Sequence, residues 1–196
     1  MKDIVAGLRR WTSWHEDWEE DVGSVAVETD DGLVLIDPND PPAELARAAH
    51  VLLTVYWHAR ATKRVGAPRV WAASRSAQPL RNRGIDVTDV LGRDAVVPAG
   101  IRAFQTARAA EVAYWLPQQR AVVVGDVLLG AGAKPRATAE PLRLCPQGWL
   151  GKASHDDLRE SLRPLLDLPV EHVLMSHGAP VLGGGARELK RVLSPS

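Results

Sequence analysis

The strongest constraint on the fold is the stretch VLLTVYWHARATKR, residues 51–64, where an apolar run changes abruptly into a polar and aromatic cluster. Val51, Leu52 and Leu53 are typical of a buried strand, which Thr54 ends. Polar and aromatic side chains follow at once. A rigid sheet that ends in a loop of such residues is a common way to position a site. We therefore expect this loop to lie at the centre of a functional site.

Composition excludes several classes of protein. The 24 basic and 24 acidic side chains among 196 residues cancel, so net charge does not favour a nucleic-acid or anionic-membrane partner. The single cysteine, Cys145, excludes an internal disulfide and fits a reducing compartment. No run approaches the roughly 20 apolar residues of a membrane helix, and the N-terminus lacks the apolar core of a signal peptide. We expect one cytoplasmic domain spanning residues 1–196, without nucleic-acid or membrane partners.

The first third of the chain predicts a hairpin and then a helix. Alternating side chains at 23–29 and the apolar run 33–36 flank an Asp-Asp-Gly turn. Asp40, which two prolines follow, favours the start of a helix. That helix would place Leu45 on its inner face and end at His50.

Three tryptophans near the N-terminus, in RRWTSWHEDWEED, have helical spacing. Trp11, Trp14 and Trp18 are separated by three and four residues, which predicts one face of a helix. Two interpretations stay open. Either the aromatic face packs on the edge of the domain, or the segment is a wall of the ligand pocket with His15 or Glu16 facing inward.

The remainder of the chain alternates strands and helices, with two segments of weak pattern. We predict strands at 69–72, 101–105, 112–116, 121–124 and 172–175, and helices through 63–64, from Ser154 and over 186–193. Loops and short strands are expected at 74–100, and a long irregular segment at 130–153.

The central loop resembles that of the metallo-β-lactamase fold superfamily. There, a strand ending in Leu-Thr precedes the motif H-x-H-x-D-H, which binds a pair of metal ions. In this chain the corresponding ligand positions are Val55, Trp57, Ala59 and Arg60. None of these side chains binds zinc as His or Asp does. The chain resembles a degenerate member of the superfamily that lacks the metal motif.

The most specific resemblance is EVAYWLPQQRAVVVGDVLLG, residues 111–130. It is similar to the superfamily pattern in which a strand pair closes on Gly-Asp and the aspartate, here Asp126, bridges both metals. The last predicted strand runs into Ser-His-Gly, which resembles the final ligand loop and matches His177. The loop QTARAA has no histidine where the superfamily has one. The resemblance spans nearly the whole chain and implies an α+β fold, a four-layer αβ/βα sandwich.

Position by position, the resemblance keeps only Asp126 and His177 as metal ligands. His58 lies one residue past a ligand position, and a shifted loop would bring it inward. Arg60 replaces a ligand, and its guanidinium either pairs with Asp126 or grips a carboxylate or phosphate. With Trp57, these residues are expected to line the remnant pocket.

Two functions follow. The missing ligands favour a metal-free pseudoenzyme without a cofactor, which binds a small anionic molecule or a protein partner. The alternative is a hydrolase that uses one zinc or other divalent ion on His58, Asp126 and His177 to activate water against an ester or thioester. The alternative requires these three side chains to converge, whereas the metal-free protein would have Arg60 in that space.

Overall fold

The computed structural model describes residues 1–92 and 97–194. The strands are β1 (Lys2–Val5), β2 (Leu8–His15), β3 (Glu20–Thr29), β4 (Gly32–Ile36), β5 (His50–Leu52), β6 (Arg69–Ala73), β7 (Asp89–Leu91), β8 (Arg102–Gln105), β9 (Val112–Leu116), β10 (Ala121–Val124), β11 (Leu128–Gly130), β12 (Leu142–Leu144), β13 (His172–Met175) and β14 (Val181–Leu182). The α-helices are α1 (Thr62–Val65), α2 (Ser74–Asn82), α3 (His155–Leu162) and α4 (Gly185–Leu193). Short 3-10 turns occupy Ala43–Leu45, Tyr56–Ala59, Pro98–Gly100, Gln147–Leu150 and Arg163–Asp167.

Two mixed sheets form the centre of the molecule. The first has the order β1-β2-β3-β4-β5-β6-β7, antiparallel as far as β4 and parallel from β4 to β7. The second has the order β14-β13-β10-β9-β8, in which only β10 and β13 run parallel. Strands β11 and β12 form a separate hairpin.

Three apolar clusters separate four layers. The middle cluster joins the two sheets through side chains such as Ile36 and Leu52 on the first and Tyr114 and Leu174 on the second. A second cluster packs the outer face of the first sheet against α2, and a third packs the outer face of the second sheet against α3 and α4. Burial of each sheet on both faces explains why β9, β10 and β13 are apolar without alternation. The predicted α+β, four-layer αβ/βα sandwich is confirmed.

Several elements agree with the sequence pattern. The hairpin of β3 and β4 and the strand ending before Thr54 are present. Helix α3 begins at a capping box, in which the Ser154 hydroxyl accepts from the Asp157 amide and the Asp157 carboxylate accepts from the Ser154 amide. No described helix combines the length and the apolar character needed to cross a membrane.

The helix predicted through the three tryptophans is wrong. Trp11 and Trp14 lie in β2, where Trp11 is buried and Trp14 is 55% exposed, and Trp18 lies in the turn before β3. Strand β2 pairs with β3 along its whole length, from Leu8 opposite Val27 to the end of the hairpin. These cross-strand hydrogen bonds outweigh a local period of three to four residues, which is only a weak guide to structure.

Two further predictions need correction. The helix expected from Asp40 to His50 is only a 3-10 turn at Ala43–Leu45, and His50 begins β5. Residues 37–49 lie between β4 and β5, and of these only Ala43–Leu45 form a helical turn. The segment 74–100, expected to be loops and short strands, contains the nine-residue helix α2, then β7. Positions 93–96 of that segment lie outside the described residues.

Candidate metal centre

His58 enters the centre through the 3-10 turn that follows β5. The turn begins after Val55, whose carbonyl accepts from the His58 amide at 3.1 Å, and it directs the ring inward until the residue is only 1% exposed. His58 Nδ1 lies 2.9 Å from Asp37 Oδ2. The shift of the ligand position by one residue, expected from the sequence, therefore brings His58 into the site.

Asp37 fixes that orientation from the neighbouring strand end. It follows β4 directly, and its carboxylate accepts from the Thr54 amide at 2.8 Å and from the Thr54 hydroxyl. These bonds tie the end of β4 to the end of β5. Since Asp37 is an acceptor, the Nδ1 of neutral His58 carries the proton and its Nε2 carries the lone pair.

Asp126 is placed by the turn between β10 and β11. Its amide and the Val127 amide both donate to Glu111 Oε1, at 2.7 and 3.0 Å. Gly125 makes this close approach possible, because a Cβ there would lie 2.6 Å from Thr54 Oγ1 and 2.8 Å from Glu111 Oε1. The turn therefore brings the Asp126 carboxylate against the central loop.

His177 follows β13 and faces the same point. Its Nδ1 hydrogen-bonds to the carboxylate of Glu20, which begins β3, so this imidazole also presents Nε2 to the cluster. Gly178, at φ +82°, lets the loop pass close to the β11 backbone, where a Cβ would lie 2.6 Å from the Gly130 carbonyl oxygen. Carboxylate support of Nδ1 is typical of metal-ligating histidines.

The three side chains converge on one point. Asp126 Oδ1 lies 3.0 Å from His58 Nε2 and 3.2 Å from His177 Nε2, and the three atoms all lie within 4.8 Å of one another. Despite these distances, Asp126 Oδ1 is buried and accepts no hydrogen bond from the described residues. The imidazoles are therefore directed at a shared position beside the carboxylate oxygen.

The charges of this cluster reinforce one another. Burial by itself disfavours charge on His58, but Asp126 and Asp37 outweigh burial and raise the pKa of His58 to about 9. Burial likewise opposes charge on His177, and its contacts with Asp126 and Glu20 still raise its pKa. Although burial favours its neutral form, the two histidines hold the pKa of Asp126 well below its usual range. The cluster thus has a strong preference for positive charge beside Asp126.

The other oxygen of Asp126 has different partners. Asp126 Oδ2 accepts from the Trp57 indole at 2.7 Å and lies 3.7 Å from Arg108 Nη1. The Arg108 guanidinium stacks over the Trp57 ring at 4.6 Å and contacts Glu111 Oε2 at 3.2 Å. Burial and Asp126 together raise the pKa of Glu111 to about 7, against the attraction of Arg108. Oδ2 of Asp126 therefore accepts a hydrogen bond from the protein, whereas Oδ1 accepts none from the described residues.

Comparison with solved structures identifies this architecture. A metallo-β-lactamase from Pontibacter korlensis superposes with a TM-score of 0.69 at 16% identity, over 100% of this chain and 98% of that one. One from Hirschia baltica gives 0.67 at 12% identity, over 100% and 97%. The protein TTHA1623, in a di-iron-bound form, gives 0.62 at 22% identity, over 94% and 98%.

This chain has the metallo-β-lactamase fold. No protein-family model matches the sequence, and no curated protein matches it. The relationship is therefore visible in the fold, whereas the sequence has diverged far from these proteins.

Within the metallo-β-lactamase fold, Arg60 does not take the expected place. It forms no ion pair with Asp126, whose charged neighbours are His58, His177 and Arg108. The Arg60–Asp126 ion pair, one of the two roles expected for Arg60, is therefore absent, and Trp57 and Arg108 lie at Oδ2 of the carboxylate instead. Arg60 is half-buried beside the cluster, and its Nε and Nη1 atoms have no hydrogen-bond partner among the described residues.

An aromatic wall stands over His177. The Trp18 ring lies 5.3 Å from the His177 ring and 5.3 Å from the Trp149 ring, centre to centre. Trp18 comes from the β2–β3 turn and Trp149 from the segment 130–153. Of the N-terminal tryptophans, Trp18 thus contacts a residue of the candidate centre, whereas Glu16 is exposed.

Four charged residues of the site escaped the sequence analysis. They are Glu20, Asp37, Arg108 and Glu111. In the sequence, Asp37 directly follows the apolar run 33–36, and Glu20 lies in a run of acidic residues. Asp37 could have been found as a polar residue directly after a buried strand. Glu111 could have been found as an acidic residue at the start of the strand pair that ends in Gly-Asp.

Proposed function

We propose that this protein is a metallo-β-lactamase-fold hydrolase that works with one divalent metal ion held by His58, Asp126 and His177. The observation that carries the proposal is the convergence of the His58 and His177 Nε2 atoms on the buried Asp126 Oδ1, at 3.0 and 3.2 Å. The sequence left two functions open, a metal-dependent and a metal-free one. The metal-dependent function requires these three side chains to converge.

The donor set fits a single ion. The Nδ1 atoms of both histidines are held by carboxylates, so two lone pairs and one carboxylate oxygen point at the same position. Such an arrangement is repulsive unless a metal ion lies within it or the imidazoles take up protons, as the raised pKa values of His58 and His177 also indicate. Donors about 2.0 to 2.1 Å from zinc at tetrahedral angles lie about 3.3 Å apart, close to the separations from Asp126 Oδ1. Three protein ligands with one open position are the usual pattern of a catalytic zinc site.

The same geometry argues against a second ion. A bridging aspartate needs both oxygens free, but Asp126 Oδ2 is bound by the Trp57 indole and faces the Arg108 guanidinium. A fixed guanidinium beside that oxygen repels a second cation. It also neutralises part of the negative charge of Asp126 and so takes over part of the role of a second ion.

Each group of the site then has a role. A bound divalent ion supplies a water of lowered pKa and an electrophilic centre. Asp37 and Glu20 hold the two imidazoles in the ligating tautomer. Arg108 contributes a permanent positive charge near the position where a carbonyl substrate develops negative charge. Trp18 and Trp149 offer an apolar surface beside it, which suits the acyl part of an ester or thioester.

Metal content of the purified, untagged protein tests the proposal. We expect about one equivalent of zinc, iron or manganese in the unaltered protein and almost none in His177→Ala. The matched control is His50→Ala, since His50 contacts Trp71 and lies outside the cluster. Hydrolysis of a model ester and a model thioester should follow the metal content. Absence of bound metal after incubation with zinc would refute the proposal.

The metal-free interpretation remains a second candidate, because one observation favours it. The Arg60 guanidinium is half-buried beside the cluster and lacks partners for two of its nitrogens. Such a group suits a small anionic ligand whether or not an ion is present. A protein that binds no metal, but binds an anion through Arg60, would fit this candidate and not the hydrolase.

A further inference from the structure

The Arg60 guanidinium is attracted by Asp37 and Asp126 but has no ion pair with either of them. Its Nε and Nη1 atoms are buried and have no hydrogen-bond partner. Neither Asp37 nor Asp126 forms an ion pair with it, since their charged partners are the two histidines of the cluster and Arg108. Removing a guanidinium from water without giving it a partner is costly. The site is therefore better satisfied when a further anion is present.

The backbone holds Arg60 in an unusual conformation. Its φ of 22° and ψ of −100° fall in a region that residues with a side chain rarely adopt. The next amide, that of Ala61, is fixed by a 3.0 Å hydrogen bond to the Pro38 carbonyl. Strained residues that the surrounding structure keeps in place are concentrated at binding and catalytic sites.

Arg60 also lines an open depression of about 330 Å³. The lining residues are Asn39, Asp40, Arg60, Ala61, Lys63 and Arg64. The one carboxylate among them, Asp40, already pairs with Arg64 at 2.8 Å. The depression therefore keeps a net positive charge from Arg60 and Lys63, which attracts anions.

A second nitrogen without a partner belongs to His15 in β2. Trp11, Ser13 and His15 share one face of β2, and the first two donate to the Asn39 carbonyl at 2.7 and 3.0 Å. His15 is the next residue along that face. Its Nδ1 is buried and has no hydrogen-bond partner among the described residues.

We propose that Arg60 binds an oxyanion in this depression, namely the carboxylate or phosphate group of a small molecule. A guanidinium suits such groups because it presents several N–H donors in one plane. The identification of that molecule as the substrate of an ester or thioester hydrolysis rests on the proposed function. The anion site itself does not depend on a bound metal.

Thermal denaturation with inorganic phosphate as the probe tests the anion site. The melting temperature is measured for the unaltered chain, Arg60→Met, Arg60→Lys and the control Arg47→Met, an exposed arginine. Sodium chloride keeps the ionic strength constant, so that general screening does not change. Each titration is run with and without excess EDTA, and an acetate titration distinguishes a planar carboxylate from a tetrahedral anion.

We expect phosphate or acetate to raise the melting temperature of the unaltered chain and of Arg47→Met, by about 5 °C or more at 100 times Kd, with or without EDTA. Arg60→Met should lose this rise, and Arg60→Lys should keep only part of it. Without an added anion, Arg60→Met should melt no lower than the unaltered chain, because it loses no hydrogen bond.

Three results would overturn the anion site: no rise in the unaltered chain, an unchanged rise in Arg60→Met, or a rise that EDTA abolishes, which would place phosphate on a metal ion. The metal content of the protein tests the proposed function separately from the anion site. A protein without bound metal that still shows the Arg60-dependent rise would retain the anion site and lose the hydrolase.

Discussion

The Trp57 indole donates a 2.7 Å hydrogen bond to Asp126 Oδ2, while Oδ1 of the same carboxylate accepts no hydrogen bond from the described residues. This asymmetry decides what the carboxylate can do. One oxygen is committed to the protein and the other faces two imidazole nitrogens. Because the Trp57 indole is a donor only, it offers no lone pair to a metal ion.

Removing the carboxylates behind the histidines should weaken metal binding. Asp37→Asn and Glu20→Gln keep the shape of each side chain but no longer fix the ligating tautomer of His58 or His177. We expect each change to lower metal affinity by about 10- to 100-fold, measured by competition with a chelator. Glu19→Gln is the control, because the exposed Glu19 has a 3.5 Å contact only with Lys134. Unchanged affinity in both variants would contradict the ligand assignment.

Loss of the Trp57–Asp126 hydrogen bond should lower the free energy of unfolding without changing the number of metal ions bound. Trp57→Phe removes the donor to a buried carboxylate oxygen, so we expect the free energy of unfolding to fall by about 1.5 to 3 kcal/mol in urea titrations. Trp14→Phe, at a largely exposed tryptophan, should change it by about 0.5 kcal/mol or less. Equal stability of the two variants would show that the Trp57–Asp126 bond contributes nothing.

A methyl group at Gly125 should disturb the Asp126 turn. The Cβ of Gly125→Ala would lie 2.6 Å from Thr54 Oγ1 and 2.8 Å from Glu111 Oε1, so neighbouring groups must move. We expect a loss of about 1 to 3 kcal/mol in the free energy of unfolding, together with weaker metal binding. Gly148→Ala is the matched control, since its Cβ would meet no atom within 4 Å. A Gly125→Ala variant as stable as Gly148→Ala would refute this packing.

The Cys145 thiol should be inert in the native protein. Burial, with Glu111 next in importance, raises the pKa of Cys145 to about 12 from its ordinary value of 9.0. We expect iodoacetamide labelling at pH 8 to be slow in buffer and fast in denaturant, because the thiolate is the reactive form. As the folded state retains the proton longer than the unfolded state, this thiol should reduce stability as pH rises above about 9. Rapid native labelling at pH 8 would contradict the burial.

Local patterns in the sequence were reliable where a segment is buried on both sides or closed by a turn. The runs around Leu52, Val123 and Leu174 are strands because the two sheets enclose them. Spacing misled where hydrogen bonds to a distant strand decide the conformation, as in β2, whose partner β3 lies across the hairpin. It also gave no sign of α2, whose polar sequence packs only Ser76, Ala77 and Leu80 inward.

By itself, the sequence determined the core strands β3, β4, β5, β6, β8, β9, β10 and β13, and the positions of Asp126 and His177 at strand ends. Only the tertiary structure decided which groups meet. Glu20 reaches His177 across 157 positions, and Arg108 rather than Arg60 faces Asp126. The physical reason is that burial and turn preferences act locally along the chain. Contacts between side chains depend on how the ends of strands from both sheets pack together at one edge.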